Sequence, residues 1–177
     1  MRTNDEKKWL QEYNDALFTC LAPTHMVTIN FPQQLSGGRA TRQRSIFIHL
    51  REWNREVLKM LFGKQFAARN AKDDFLFVGI TEVGPLLQKE HAHLLVRVPE
   101  RLIPNFEARA ASLWRPRRVM PGAGQHRPYL VPDIVIQRCA DFERGAVGAI
   151  EYCTKNLTPC TETVVWSCEF RTPISTT

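Results

Sequence analysis

The chain has 177 residues, of which 44% are hydrophobic, and this is enough apolar material for one domain with a substantial core. Lysine and arginine outnumber aspartate and glutamate by 24 to 18, and the net charge of +6 favours a polyanionic partner such as a nucleic acid. The sequence has no stretch long and apolar enough to span a bilayer and no apolar secretory signal. These features exclude a membrane-spanning protein, and we expect a cytoplasmic protein with a single domain over residues 1–177.

The cysteines do not indicate a disulfide framework. Their number is odd and none forms a C-x-x-C pair, so a zinc knuckle is not indicated either. They are Cys20, Cys139, Cys153, Cys160 and Cys168. We expect reduced thiols.

The first part of the chain predicts helix, strand and helix. Apolar residues at helical spacing predict a helix over about 5–21, which is a candidate appendage to the domain. Alternating apolar and polar residues predict a strand at 25–31. A second amphipathic helix is expected over about 41–62, with Gly63 at the position that follows its C-terminus.

The middle of the chain predicts an antiparallel hairpin. Two apolar, strand-like runs occupy 75–83 and 91–98, and the short connection between them contains a Gly-Pro turn signal. A helix is expected next, between Pro99 and Trp114.

The last part predicts a strand at 134–136, a helix from 142 to about 156 with Asp141 as its cap, and a closing strand at 164–166. Helices and strands therefore alternate around a central hairpin. This order predicts an α+β fold in which an antiparallel sheet packs helices on its faces.

A pair of histidines lies on the second strand of the hairpin. His91 and His93 flank Ala92, so the period of two points both imidazoles to the same face of the sheet. Glu82 lies near the end of the preceding strand, and the hairpin brings its carboxylate beside the histidines. Two neutral imidazoles and one carboxylate can bind a divalent metal and leave positions for water or a phosphate oxygen.

A tyrosine lies near the end of the last predicted helix. Tyr152, Lys155 and Asn156 are at i, i+3 and i+4, which puts them on one helix face. A free tyrosine has a pKa of about 10 and is a poor nucleophile at neutral pH unless a cation or metal favours its phenolate. Lys155 is such a cation, although this spacing alone is common in helices that have no catalytic role.

These residues together resemble the HUH superfamily of endonucleases, in particular the single-tyrosine rolling-circle replication initiator (Rep) proteins. The segment 26–31 is similar to the family's first, strand-forming motif. Glu82 with His91 and His93 is similar to its metal motif, and the segment 152–155 to its Y-x-x-K motif. The three motifs occur in the family's order and span about residues 25–157.

The resemblance implies a central antiparallel sheet of about five strands with flanking helices, in an RRM-like, ferredoxin-like arrangement. It implies that Glu82, His91 and His93 bind Mg²⁺ or Mn²⁺ and that Tyr152 attacks a phosphate of single-stranded DNA, leaving a 5′-phosphotyrosine and a 3′-hydroxyl. Lys155 would orient the tyrosine or stabilise its anion. The substrate would be a replication origin or a hairpin, which such an enzyme nicks and rejoins.

The resemblance also limits the expected partners. The sequence has no G-x-x-x-x-G-K-[ST] phosphate-binding loop, so a separate helicase is expected to unwind the DNA. We expect a monomer or a transient dimer. DNA contacts are expected from basic and polar groups, and phosphate neutralisation predicts weaker binding as salt rises. The expected contact residues are Thr28, Asn30, Arg39, Arg42, Arg44, Arg117, Arg118 and Asn156.

Other functions stay open. A single-tyrosine transposase or a relaxase shares the histidine pair and the nucleophile, and differs in its DNA partner and oligomeric state. A histidine-triad nucleotide hydrolase is disfavoured because Leu95 occupies the position of the third histidine. From another class, a non-catalytic nucleic-acid-binding domain is also consistent with the predicted sheet.

Overall fold

The computed structural model describes residues 2–31, 39–66, 74–83, 90–114, 134–157 and 164–167. Within these ranges the strands are β1 His25–Asn30, β2 Leu76–Val83, β3 Glu90–Arg97, β4 Ile134–Arg138 and β5 Val164–Trp166. The α-helices are α1 Asn4–Ala16, α2 Arg39–Phe62, α3 Ile103–Arg109 and α4 Gly145–Thr154. None of these helices combines the length and the apolar character needed to cross a bilayer.

The strands form one open antiparallel sheet in the order β4-β1-β3-β2-β5. Sheet and flanking helices confirm the expected α+β fold class. The predicted hairpin is present as β2 and β3, and it lies next to β1 at the centre of the sheet. Side chains of β1, β2 and β3 therefore meet on both faces.

One face of the sheet packs against α2 and α3. Trp53 on α2 is buried and donates its Nε1–H to the carbonyl of Ala110 at 3.1 Å, just beyond α3. The apolar stripe predicted for the second helix is buried here, and Gly63 follows the helix with φ +57°, as expected of a left-handed terminating residue. The stripe consists of Ile46, Leu50, Trp53, Val57, Leu58 and Leu61.

The other face packs against α1, a following π-helical turn and α4. Leu17 and Leu21 of the π-helical turn are buried in this second core, so the N-terminal helical segment packs directly on the domain. The remaining buried members come from the strands, α4 and its flanks: Met26, Val78, Ile80, Leu95, Cys139, Ala149, Ile150, Cys153 and Leu157. The described cysteines are free thiols, and burial raises the pKa of Cys139 to about 12.

Two predictions of local structure were wrong in detail. Asp141 does not cap α4, because it lies in a 3-10 turn after β4 and the chain becomes extended again at Phe142. The helix begins three residues later at Gly145, whose φ of +58° needs a glycine. The helix expected between Pro99 and Trp114 is shorter, since only α3 is α-helical and 3-10 turns precede and follow it.

A polar cluster lies at the N-terminal end of β1, away from His91 and His93. Buried His25 has its Nε2 3.1 Å from the Glu107 carboxylate on α3, and Arg138 on β4 donates to both oxygens of that carboxylate. Arg138, and then His25, lower the pKa of Glu107 to about 2. The cluster ties α3 to two strands of the sheet.

Candidate metal and tyrosine site

The hairpin register brings the three predicted metal ligands together. Glu82 lies opposite His91 and Ile80 opposite His93, so the carboxylate and both imidazoles share one face of the sheet. One donor atom from each of Glu82, His91 and His93 lies within 4.8 Å of the other two. His91 Nε2 is 3.4 Å from Glu82 Oε2. This group can bind a metal ion.

The two oxygens of the Glu82 carboxylate have different surroundings. Oε2 accepts a hydrogen bond of 3.2 Å from the side-chain amide of Asn156, whereas Oε1 is buried and has no hydrogen-bond partner among the described residues. The side chain is 11% exposed, so water reaches little of it. A buried carboxylate oxygen without a donor is unfavourable, and a bound cation removes that cost. The donor set therefore fits a metal cation.

His93 is the buried member of the group, with 3% of its surface exposed. Burial, and then the neighbouring His91, lower the pKa of His93 to about 4, so its imidazole is neutral at pH 7. Its Nδ1 is 3.0 Å from the hydroxyl of Thr28, which lies directly opposite on β1. In the tautomer that carries the proton on Nδ1, Nδ1–H donates to Thr28 and Nε2 keeps the lone pair that a metal needs.

Replacing Thr28 with valine should weaken Mn²⁺ binding by about tenfold, because the imidazole of His93 loses the partner that fixes its tautomer and ring orientation. Isothermal titration calorimetry measures the effect. Thr28→Ser, which keeps the hydroxyl, should retain most of the affinity. Thr19→Val is a control, since Thr19 is exposed and the one described hydrogen bond of its hydroxyl is to the Asp15 carbonyl. Equal affinities for all three variants would contradict the orienting role.

Tyr152 lies at the edge of the candidate metal-binding group, which consists of Glu82, His91 and His93. Its ring centroid is 5.3 Å from that of His93 at an interplanar angle of 80°, and Phe142 lies at 6.4 Å. The Lys155 ammonium is 3.9 Å from the Tyr152 ring centroid, within cation–π range. Tyr152 is 44% exposed because the buried residues of α4 are Ala149, Ile150, Cys153 and Thr154. The Tyr152 side chain is therefore beside His93 and partly exposed to solvent.

Lys155 and Asn156 follow the end of α4 and both reach the site. The predicted common face of Tyr152, Lys155 and Asn156 is thus reproduced as a set of contacts, although the helix itself ends at Thr154. The site contains a carboxylate and two imidazoles beside a phenol and an ammonium, a combination suited to a metal-assisted nucleophilic reaction.

The comparisons with known proteins identify no family for this chain. No protein-family model, curated protein sequence or solved structure matches this chain.

Some of the predicted DNA-contact residues lie beside the candidate metal-binding group, and others do not have described side chains. Thr28 and Asn30 lie on β1 opposite His93 and His91, next to the metal-binding group. Asn156 contacts Glu82, as described above. Three of the predicted arginines lie in the first turns of α2, where only the backbone is described: Arg39, Arg42 and Arg44. Arg117 and Arg118 lie outside the described residues.

Sequence reasoning missed two roles in this site. The side chains of Thr28 and Asn156, which the sequence predicts as DNA contacts, also contact His93 and Glu82. For Thr28 a signal was available, because a strand-forming segment that pairs with the histidine strand must place a residue opposite each imidazole. No comparable sequence signal pointed to the contact of Asn156 with Glu82.

Proposed function

We propose that this protein nicks and rejoins single-stranded DNA by tyrosine transesterification, with Tyr152 as the nucleophile and a divalent metal at Glu82, His91 and His93. The observation that carries the proposal is the accessible phenol of Tyr152, whose ring lies 5.3 Å from that of the buried, neutral His93. The motif order that resembles single-tyrosine Rep proteins also supports it.

The proposed reaction exchanges one phosphodiester for another. The Tyr152 oxygen bonds to the scissile phosphorus while the bond from phosphorus to the 3′-oxygen breaks, and the tyrosine proton is balanced by protonation of the leaving 3′-oxygen. The products are a 5′-phosphotyrosine and a 3′-hydroxyl, and attack by that hydroxyl restores the strand. When bound, Mg²⁺ or Mn²⁺ supplies charge neutralisation at the phosphate oxygens.

The neighbours of Tyr152 support the nucleophile role. Phe142 and His93 flank the ring, which restricts its orientation, and a fixed nucleophile reacts faster than a freely rotating one. Lys155 holds the ring through its ammonium and places a positive charge where the phenolate and phosphate charges develop. Thr28 and Asn156 orient the two ligands His93 and Glu82.

The proposed partners follow from the same reaction. The substrate is single-stranded DNA at a replication origin or in a hairpin, in agreement with the net charge of +6. A separate helicase supplies unwinding. The protein acts in the cytoplasm as a monomer or transient dimer, and a stable dimer acting on a transposon-end hairpin would instead identify a single-tyrosine transposase.

Incubation with a randomised single-stranded DNA library and Mn²⁺ tests the proposal. The expected product is a covalent protein–DNA adduct that survives denaturing electrophoresis, with the nucleotide on Tyr152 by peptide mass spectrometry, and EDTA should prevent its formation. Sequencing the attached DNA identifies the preferred site. Cleavage without an adduct would indicate hydrolysis, and binding without cleavage would indicate a non-catalytic binding domain; both would refute the proposal.

A further inference from the structure

Arg2 contacts the segment that follows α4, the helix that contains Tyr152. Arg2 donates through Nη2 to the backbone carbonyl of Lys155 and to that of Leu157, the latter at 3.0 Å. These two carbonyls belong to the residues on either side of Asn156. The Asn156 side chain donates to Glu82 Oε2. One guanidinium thus holds the backbone on both sides of the residue that contacts a metal-binding carboxylate.

The beginning of α1 fixes where Arg2 lies. Thr3 caps the helix reciprocally: its backbone N–H donates to the Glu6 carboxylate at 2.8 Å, and its hydroxyl accepts from the Glu6 N–H at 3.2 Å. Arg2 directly precedes this capping box. The capped start of α1 therefore fixes the position of the Arg2 backbone. Near the other end of α1, Asn14 accepts a hydrogen bond from Thr154 at 2.8 Å. Hydrogen bonds near both ends of α1 therefore connect the N-terminal segment to the end of α4 and the residues that follow it.

The backbone carbonyls of the segment that Arg2 holds have few described hydrogen-bond donors. The last carbonyls of an α-helix have no intrahelical donors, and a cation near them is favoured by the helix dipole. After α4, Leu157 is buried and its N–H donates to the Thr154 carbonyl at 2.9 Å, whereas Lys155 and Asn156 are exposed. Between the helix end and the Leu157 anchor, Arg2 adds the only hydrogen bonds described to the carbonyls of Lys155 and Leu157.

We infer that Arg2 is a positioning residue for the metal site, because it sets the backbone of Asn156 and thereby the orientation of the Glu82 carboxylate. The inference rests on the proposed metal site of Glu82, His91 and His93. Arg2 itself contacts none of these ligands in the described structure, so its effect on metal binding must pass through Asn156.

Mn²⁺ titration of the full chain by calorimetry, without DNA, tests this route. Asn156→Ala should weaken Mn²⁺ binding by about tenfold and Arg2→Ala by about fivefold, as expected when a residue that supports a metal ligand is lost. The double variant should bind no more weakly than Asn156→Ala alone, because residues on one path are not additive. Arg2→Lys should recover part of the affinity, since an ammonium donates hydrogen bonds without the geometry of the guanidinium.

Two control variants separate positioning from general packing and charge. Asn14→Ala removes the described hydrogen bond between Asn14 on α1 and Thr154 on α4, so it should lower the melting temperature and leave Mn²⁺ affinity unchanged. Lys8→Ala removes one positive charge from α1, where its only described partner is the exposed Glu12, and should also leave affinity unchanged.

The outcomes distinguish this inference from the function it rests on. If the wild-type protein binds no Mn²⁺, the metal site fails and the inference fails with it. If the wild type binds Mn²⁺, the inference alone is overturned by any of three results: unchanged affinity in Arg2→Ala, additive losses in the double variant, or an equal loss in Asn14→Ala.

Discussion

Replacing Tyr152 with phenylalanine should abolish the covalent adduct and reduce nicking by at least about a thousandfold, while single-stranded DNA binding stays within about twofold. The substitution keeps the aromatic ring, and with it the ring contacts to His93 and Phe142 and the cation–π contact to Lys155. Only the attacking oxygen is lost. Denaturing gels measure cleavage and adduct formation, and fluorescence anisotropy measures DNA affinity.

Tyr13→Phe is the matched control for this variant. The Tyr13 hydroxyl is buried and has no hydrogen-bond partner among the residues that the structure describes, and Tyr13 lies on α1, outside the candidate metal-binding group. Removing that oxygen should leave nicking unchanged and leave stability equal or slightly higher, since an unsatisfied buried hydroxyl is lost. Wild-type levels of adduct in Tyr152→Phe would show that another residue is the nucleophile.

The metal-binding group could be predicted because its members are linked by local geometry. Alternation along one strand puts His91 and His93 on the same face, and a hairpin folds Glu82 back onto the neighbouring strand. Both steps need only the positions of two adjacent strands. The observed register, with Glu82 opposite His91, confirms this part of the reasoning.

The supporting contacts could not be predicted because each depends on the order of elements in space. The partners of Thr28 and Asn156 are 65 and 74 residues away along the chain, and the Lys155 carbonyl is 153 residues from Arg2. Threonine, asparagine and arginine are common at surfaces, so nothing in the residue types indicates a particular partner. Only the placement of β1 beside β3, and of α1 beside α4, brings these pairs together.

At the beginning of α4, a local sequence signal for a helix N-terminus is present, but tertiary packing decides where the helix starts. Asp141 is a favoured residue at a helix N-terminus, yet it lies in the 3-10 turn where the chain leaves β4. Burial of Cys139 in the second core anchors that turn. The chain then needs further residues to reach the start of α4, and Gly145 provides the left-handed conformation there.

Replacing Glu82 with glutamine should change metal affinity and metal-free stability in different ways. Mn²⁺ binding should weaken by at least about a hundredfold, because the substitution removes the negative charge of the donor set and leaves its volume unchanged. The metal-free protein should be equally stable or more stable by about 1 kcal/mol, because a neutral amide is less costly to bury than a carboxylate whose Oε1 has no partner within the described part of the chain. The side-chain amide of Asn156 can still donate a hydrogen bond, because the amide introduced at position 82 also has an oxygen acceptor.

Thermal unfolding with and without Mn²⁺ measures both effects. The wild-type melting temperature should rise with added Mn²⁺, since a ligand that binds only the folded state stabilises it, and the Glu82→Gln melting temperature should not. Glu151→Gln makes the same chemical change at a carboxylate paired with Arg144, so it should retain the Mn²⁺-dependent rise. A Glu82→Gln protein that is less stable without metal and binds Mn²⁺ at wild-type strength would show that this carboxylate serves the packing of the hairpin through His91, because a metal ligand cannot lose its charge without losing affinity.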